Sequence, residues 1–209
     1  FHVDAVQAFG KAPVSLRAIG ADSIALSSHK IHGPKGVGAL VLAPGRRPAP
    51  LLHGGGQEGN LRSGTENLPG IAGFARAAAL AAESLAAEVP RWRRLRERLE
   101  RGLAAALPDR VVNGDPERSV PTILSVTFPG VPGEALLHHL EARGVLVSTG
   151  AACHSRRGGS HVLLACGMPE EAVRSTIRFS FGRFTTEADV DRAVAAVPAL
   201  VSELRALSR

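Results

Sequence analysis

The chain has 209 residues, of which 44% are hydrophobic and 21% charged. Those proportions exclude disordered, collagen-like and coiled-coil classes, and the length allows one large domain or two small ones. A formal net charge of +6 with a pI near 10.5 raises the question of a nucleic-acid partner. The excess is carried by Arg, since the only lysines are Lys11, Lys30 and Lys35, and Tyr is absent. With Ala abundant as well, the profile resembles a coding bias more than a selected basic surface. No nucleic-acid partner is expected. No apolar run approaches the roughly 20 residues needed to cross a bilayer, so no membrane partner is expected either. The opening Phe-His-Val-Asp shows no basic-then-apolar leader. It reads as a chain whose N-terminal part lies upstream.

Taken in order, short apolar or alternating runs bounded by Gly, Pro or Asn predict strands. They fall at Ser23–Ser27, Val37–Leu42, Val111–Val112, Ile123–Phe128, Val145–Val147 and Thr176–Phe181. Helical periodicity covers Leu68–Glu88, with Ile71, Phe74, Ala78 and Leu85 on one side. Pro90 is expected to break or kink this helix. Trp92–Leu107 continues at helical spacing, Gly133–Arg143 ends at Gly144, and Pro169–Arg174 is short. Glu187–Leu207 is entered through Thr185-Thr186, with Asp189 in its first turn. Residues 1–66 hold short strands and long Gly-rich loops, with too little helix to cover both faces of a parallel sheet. A boundary near 88–90 would divide residues 1–88, the end of a larger α/β domain, from residues 89–209, a small α+β domain.

The basic run Arg91–Arg101 contains Glu97 and Glu100 at pairing distance from Arg93, Arg94, Arg96 and Arg101. It is expected to be a solvated helix face. The two cysteines, Cys153 and Cys166, match neither a zinc spacing nor a redox CxxC. The eight histidines form no HExxH. His138 and His139 are adjacent and would diverge on a helix. No metal site is expected.

Five segments carry chemistry. Ser27-Ser28-His29-Lys30 closes a strand and precedes a Gly-rich turn; a Lys there can be held neutral and form a Schiff base, or can simply be a surface Lys. Asp4 with Gln7 could hold a protonated ring nitrogen and a ring oxygen, though Asp at a strand end is usually a cap. His53–Asn67 offers Gly amides, hydroxyls and a following helix N-terminus, which suit a phosphate; an ordinary mobile loop is the other reading. Cys153 has basic neighbours Arg156 and Arg157, which lower a thiol pKa. Cys166, with apolar residues on both sides, is expected to be packed in a core. Arg178 and Ser180 share one face of a strand whose other face carries Ile177, Phe179 and Phe181. An Arg so placed needs an anionic partner.

In this order, Asp4-x-x-Gln7, SSHK at 27–30, HGGGQE to RSGTEN at 53–67, GAACHS at 150–155 and STIRFSFGRFTTEADVD at 175–191 resemble the NifS/IscS-type cysteine desulfurases. These belong to the class V aminotransferase family, with pyridoxal-phosphate (PLP) fold type I. The resemblance covers essentially the whole chain but only the C-terminal half of a typical member. It implies an α/β fold: the C-terminal part of the large, mainly parallel sheet domain, then a small α+β domain carrying the catalytic Cys loop. Lys30 resembles the Schiff-base Lys and Cys153 the catalytic Cys. Asp4 resembles the partner of the ring nitrogen, and Gln7 the residue near the ring oxygen. Ser27 and His29 match cofactor contacts. Thr65 resembles the Thr that reaches the phosphate of a neighbouring subunit, and Arg178 the clamp on the substrate carboxylate. The resemblance further implies L-cysteine as substrate, PLP as cofactor, persulfide on Cys153, a sulfur-acceptor protein, iron–sulfur cluster or other sulfur delivery, a homodimer and a cytoplasmic location. Gly150, Gly158 and Gly159 would let the Cys loop move. The selenocysteine lyases, acting on L-selenocysteine, are also similar. Aminotransferases and kynureninase-like hydrolases share the fold, and a non-catalytic fragment is the reading from a different class. By itself the 209-residue chain is expected to bind PLP weakly, to misfold or to be inactive.

Overall fold

The computed structural model describes residues 1–150 and 160–207. The chain divides into two compact units, Phe1–Glu88 and Val89–Arg209.

In the first unit, β1 (His2–Asp4), β2 (Ser23–Ser27) and β3 (Gly38–Leu42) form a sheet in that order. β1 runs parallel to β2, with Asp4 opposite Ala25. β3 is antiparallel to β2, with Ser27 opposite Gly38. At three residues β1 is too short for alternation to announce it. The crossover between the parallel strands carries α1 (Leu16–Ile19), whose N-cap Ser15 accepts the Ala18 N–H. The apolar interior is modest. Ala5, Ala21 and Ile24 form one cluster, and Ile31, Phe74 and Ala77 another, with Phe9 edge-on to Phe74.

After the short α2 (Gln57–Asn60), helix α3 (Leu68–Ala106) contributes residues to both units and continues through Pro90. Of the break or kink expected at that proline, the break does not occur. Pro90 removes one backbone donor, and the rest of a 39-residue helix absorbs the loss. Asn67 caps its start by accepting the Gly70 N–H at 3.1 Å.

The second unit is a three-stranded antiparallel sheet in the order β4 (Val111–Asn113), β5 (Ile123–Thr127), β6 (Thr176–Ser180). The helices α4 (Gly133–Glu141), α5 (His161–Ala165), α6 (Glu170–Arg174) and α7 (Glu187–Leu207) complete it. One face of the sheet is apolar: Leu124, Val126, Ile177 and Phe179 are buried. They join Leu99 and Leu103 of α3, Leu136 and Leu140 of α4, and Val197, Leu200 and Val201 of α7. Alternation in the strands and 3.6-residue spacing in the helices aim these side chains at one core. The Trp92 indole N–H donates to the Gly182 carbonyl at 3.1 Å, so the ring is buried with its polar atom satisfied.

Three segments differ from what their residues suggest. Val145–Val147 is not a strand; only Ser148 makes an isolated bridge, to Arg178, and Leu146 is exposed after the left-handed Gly144. Cys166 is exposed rather than packed. It caps α5, a helix with no buried residue, so apolar sequence neighbours do not amount to a core. The Arg91–Arg101 run is also more than a solvated face. Arg96 is buried and donates to the Pro116 carbonyl, and Arg91 donates to the carbonyls of Gly182, Arg183 and Thr185. Arg98 makes a two-pronged pair with Asp191 at 2.7 and 2.9 Å, and lies 3.5 Å from Glu187.

Gly133 opens α4 where the helix meets the start of β6. A Cβ there would lie 2.7 Å from the Arg174 carbonyl oxygen and 3.2 Å from that of Thr176. Backbone cannot yield as a side-chain tip can. Gly133→Ala is expected to destabilise the protein by about 1–3 kcal/mol, the usual cost of overpacking. A lower urea midpoint at unchanged slope would show it; an unchanged midpoint would contradict the close approach.

The start of α7 has a pH signature. Asp189 accepts from the Thr186 N–H and hydroxyl, while the Asp189 N–H donates back to the Thr186 Oγ1. This reciprocal cap holds the Asp189 carboxyl below its ordinary range. Arg98 does the same to Asp191, mainly through its hydrogen bonds. Both folded-state values lie below the unfolded ones. The stabilisation is complete above the unfolded carboxylate value of about 4 and is lost as pH falls through the lower folded values. Asp191→Asn is expected to flatten part of the acid limb of the stability–pH curve, and an identical limb would contradict the assignment.

Candidate functional site

Two strands of the first unit that run side by side in the same direction deliver Asp4 and Ser27 to the same, carboxyl edge of the sheet. Ligands of open α/β sheets bind beyond that edge. β2 passes directly into a 3-10 turn, Ser28–Ile31, which carries His29 and Lys30. The turn is tied down from both sides: the Ser28 N–H donates to the Val37 carbonyl, and the Gly33 N–H to the Ser28 carbonyl. It ends at His32 in the left-handed region, φ 66°. Lys30 is half-buried, and His29 is exposed with its Nδ1 2.8 Å from Ser27 Oγ. That bond commits Nδ1 and orients the imidazole.

Asp4 is exposed, and its Oδ1 accepts the Val6 N–H at 2.9 Å. The cap and the ring-nitrogen partner are thus compatible roles, since one carboxylate oxygen fixes the other in place. Gln7 accepts from the Lys11 ammonium through Oε1 at 2.9 Å, which leaves its amide nitrogen as the donor. A donor is the group that an oxygen on a ring requires.

Thr65 is exposed in the segment before α3. A bridge between Leu52 and Arg62 and a bond from the Ser63 N–H to the Leu52 carbonyl close the loop that precedes it. Gln57 Oε1 accepts the Gly64 N–H at 3.0 Å. Asp4, Gln7, Ser27, His29, Lys30 and Thr65 all belong to the first unit, and Arg178 to the second. Cys153, with His154 and Ser155, lies outside the described residues.

Arg178 is half-buried in the middle of β6, on the face opposite Ile177 and Phe179. Its Nε is buried without a hydrogen-bond partner. Burial lowers its pKa from the ordinary value because an uncompensated cation is disfavoured there. The arrangement suits an incoming anion. Sequence reasoning gave no role of its own to Ser28, which is fully buried with an unpartnered Oγ against Gly33. It also missed the polar row beside Arg178, which only strand register reveals. No group of three or more His, Cys, Asp or Glu among the described residues could hold a metal ion. None of the described helices is long and apolar enough to cross a membrane.

The α/β architecture matches PLP fold type I structures. A NifS-like protein superposes with a TM-score of 0.87 at 39% identity, covering 97% of this chain and 52% of that one. SspA, solved in complex with cysteine, gives a TM-score of 0.63 at 30% identity, over 89% of this chain and 51% of that one. The aminotransferase class-V family model matches residues 1–193, and the chain belongs to that family. A cysteine desulfurase of Trichormus azollae is 46% identical over 209 residues, all of this chain and 52% of the relative. The chain therefore spans about half the length of the curated relatives it matches.

Proposed function

We propose that the chain belongs to a PLP-dependent cysteine desulfurase that converts L-cysteine to L-alanine and passes the sulfur on. The observation that supports this most is the shared carboxyl edge of β1 and β2, which presents Asp4 beside the Ser27–Lys30 turn. The donor set fits the cofactor: a carboxylate for a protonated ring nitrogen, an amide donor for a ring oxygen, a hydroxyl and imidazole for further contacts, and one amine. Asp4, Gln7, Ser27, His29 and Lys30 would hold it, and Thr65 would reach the phosphate of a second copy in a homodimer. When bound, the cofactor supplies a sink for the electron pair left at the substrate Cα.

The chain's own residues do the rest. Lys30 takes the Cα proton and returns one. Asp4 keeps the ring nitrogen protonated, with the Val6 N–H fixing its carboxylate. Arg178 binds the substrate carboxylate through its half-buried guanidinium. The Cys153 thiolate attacks the substrate sulfur. An S–S bond forms as the substrate C–S bond breaks, and the bonding pair stays with the three-carbon skeleton, which is protonated to alanine. Cys153 is left as a persulfide, and an acceptor protein in the cytoplasm collects its outer sulfur for iron–sulfur cluster assembly or another sulfur-using route.

Alanine release by the full-length protein tests the reading directly. Turnover of L-cysteine with one sulfur released per alanine is expected. Negligible cysteine turnover beside fast turnover of L-selenocysteine would overturn it in favour of a selenocysteine lyase.

A further inference from the structure

The small sheet carries a polar row whose direction of hydrogen donation is fixed. Asn113, Ser125 and Arg178 are directly opposite one another on β4, β5 and β6, so their side chains share one face. Ser148 bridges Arg178 on the far side. The Arg178 N–H and carbonyl both bond to Ser148, at 2.6 and 3.1 Å. Ser125 and Arg178 are therefore a non-hydrogen-bonded pair, the kind in which side chains approach more closely.

The proton directions follow from one end. The Thr176 hydroxyl donates to the Ala172 carbonyl at 2.7 Å. Thr176 Oγ1 then accepts from Thr127, 2.7 Å away. With its only proton committed, Thr127 accepts from the Asn113 amide at 3.0 Å. The second hydrogen of that amide goes to Ser125 Oγ at 3.1 Å. This chain anchors Ser125 while leaving one of its lone pairs unused. Ser148 Oγ, the hydroxyl on the other side of Arg178, is already engaged twice with Gly150. Arg178 Nε meanwhile is buried with no acceptor.

We propose that Ser125 is a positioning residue for Arg178, its hydroxyl oriented by Asn113 to receive the Nε–H when the outer guanidinium nitrogens grip a substrate carboxylate. The inference rests on the assignment of Arg178 as the carboxylate clamp. It adds that the clamp is set by the polar row beneath it rather than by Arg178 alone. The apolar face of the sheet takes no part, which separates this role from core packing.

The test uses the full-length, PLP-loaded protein. Ser125→Ala is expected to raise KM for L-cysteine on the order of tenfold, in keeping with loss of a hydrogen bond to a charged group, with kcat changed far less. Ser125→Thr, which keeps the hydroxyl, is expected to restore KM. Asn113→Ala is expected to give a smaller rise. The second readout is the Arg178 Nε–H signal in nitrogen-15 NMR. In the parent protein, addition of L-alanine, which presents the same carboxylate without turnover, is expected to slow its exchange with water. In folded Ser125→Ala that slowing is expected to be lost. An unchanged KM and an unchanged exchange response in Ser125→Ala, beside a large KM rise in Arg178→Ala, would overturn the proposal while leaving the clamp in place. No KM change in Arg178→Ala would remove the clamp and the proposal together.

Discussion

Replacing Lys30 with alanine is expected to cut alanine production from L-cysteine by about 10²–10⁴-fold, the range a positioned proton-transfer group contributes. The protein should also lose its retained cofactor. Lys30 sits on a 3-10 turn that β2 enters without a loop, and backbone bonds to Val37 and Gly33 pin that turn. Its backbone is therefore held just past the carboxyl end of β2, whose parallel neighbour β1 ends at Asp4. Lys11 and Lys35 do not share this position: Lys11 is bonded to Gln7, and Lys35 is exposed beyond the turn. Lys35→Ala is accordingly expected to retain cofactor and activity. Equal losses in the two variants, measured by visible absorbance and alanine release, would contradict the assignment.

Cys153→Ser carries the second large effect. Only the desulfurase mechanism requires a protein thiolate to take sulfur, since an aminotransferase or a hydrolase of the same fold does not. A Ser hydroxyl at neutral pH is a far weaker nucleophile toward sulfur than a thiolate. Alanine formation from L-cysteine is expected to fall by a factor on the order of 10³, with the cofactor absorbance unchanged. Retained cofactor separates loss of sulfur transfer from loss of the site. Full activity in Cys153→Ser would favour a different class V reaction. Cys166, although exposed, has no assigned part in the reaction, and Cys166→Ser is expected to be silent.

What could be read from the residues follows a physical pattern. The two faces of Thr176–Phe181 were legible because alternation is a local property. Ile177 and Phe179 are buried, while Arg178 and Ser180 face the other way. The Thr186–Asp189 cap was legible for the same reason, since donor and acceptor lie three residues apart. β1 was legible only as the strand end at Asp4, because three residues hold no period and its partner strand supplies the pairing. The roles of Arg96 and Arg98 were hidden by distance along the chain. Their partners, Pro116 and Asp191, are brought near by tertiary packing, and local spacing to Glu97 and Glu100 was the wrong guide.

The candidate site divides in the same way. Asp4, Lys30 and Arg178 stand out by residue type at strand ends or within an apolar strand. The row Asn113–Ser125–Arg178 does not, because it exists only once the register of three strands is fixed. Cys166 shows the opposite error. Apolar neighbours suggested burial, yet α5 packs none of its residues deeply enough to make a core.

The most direct test of the account is to map the amine that holds the cofactor. Borohydride treatment of the full-length, PLP-loaded protein fixes the pyridoxyl group to that amine, and peptide mass spectrometry locates it. The added mass is expected on the peptide containing Lys30. Modification at Lys11, at Lys35 or at no lysine of this chain would contradict it.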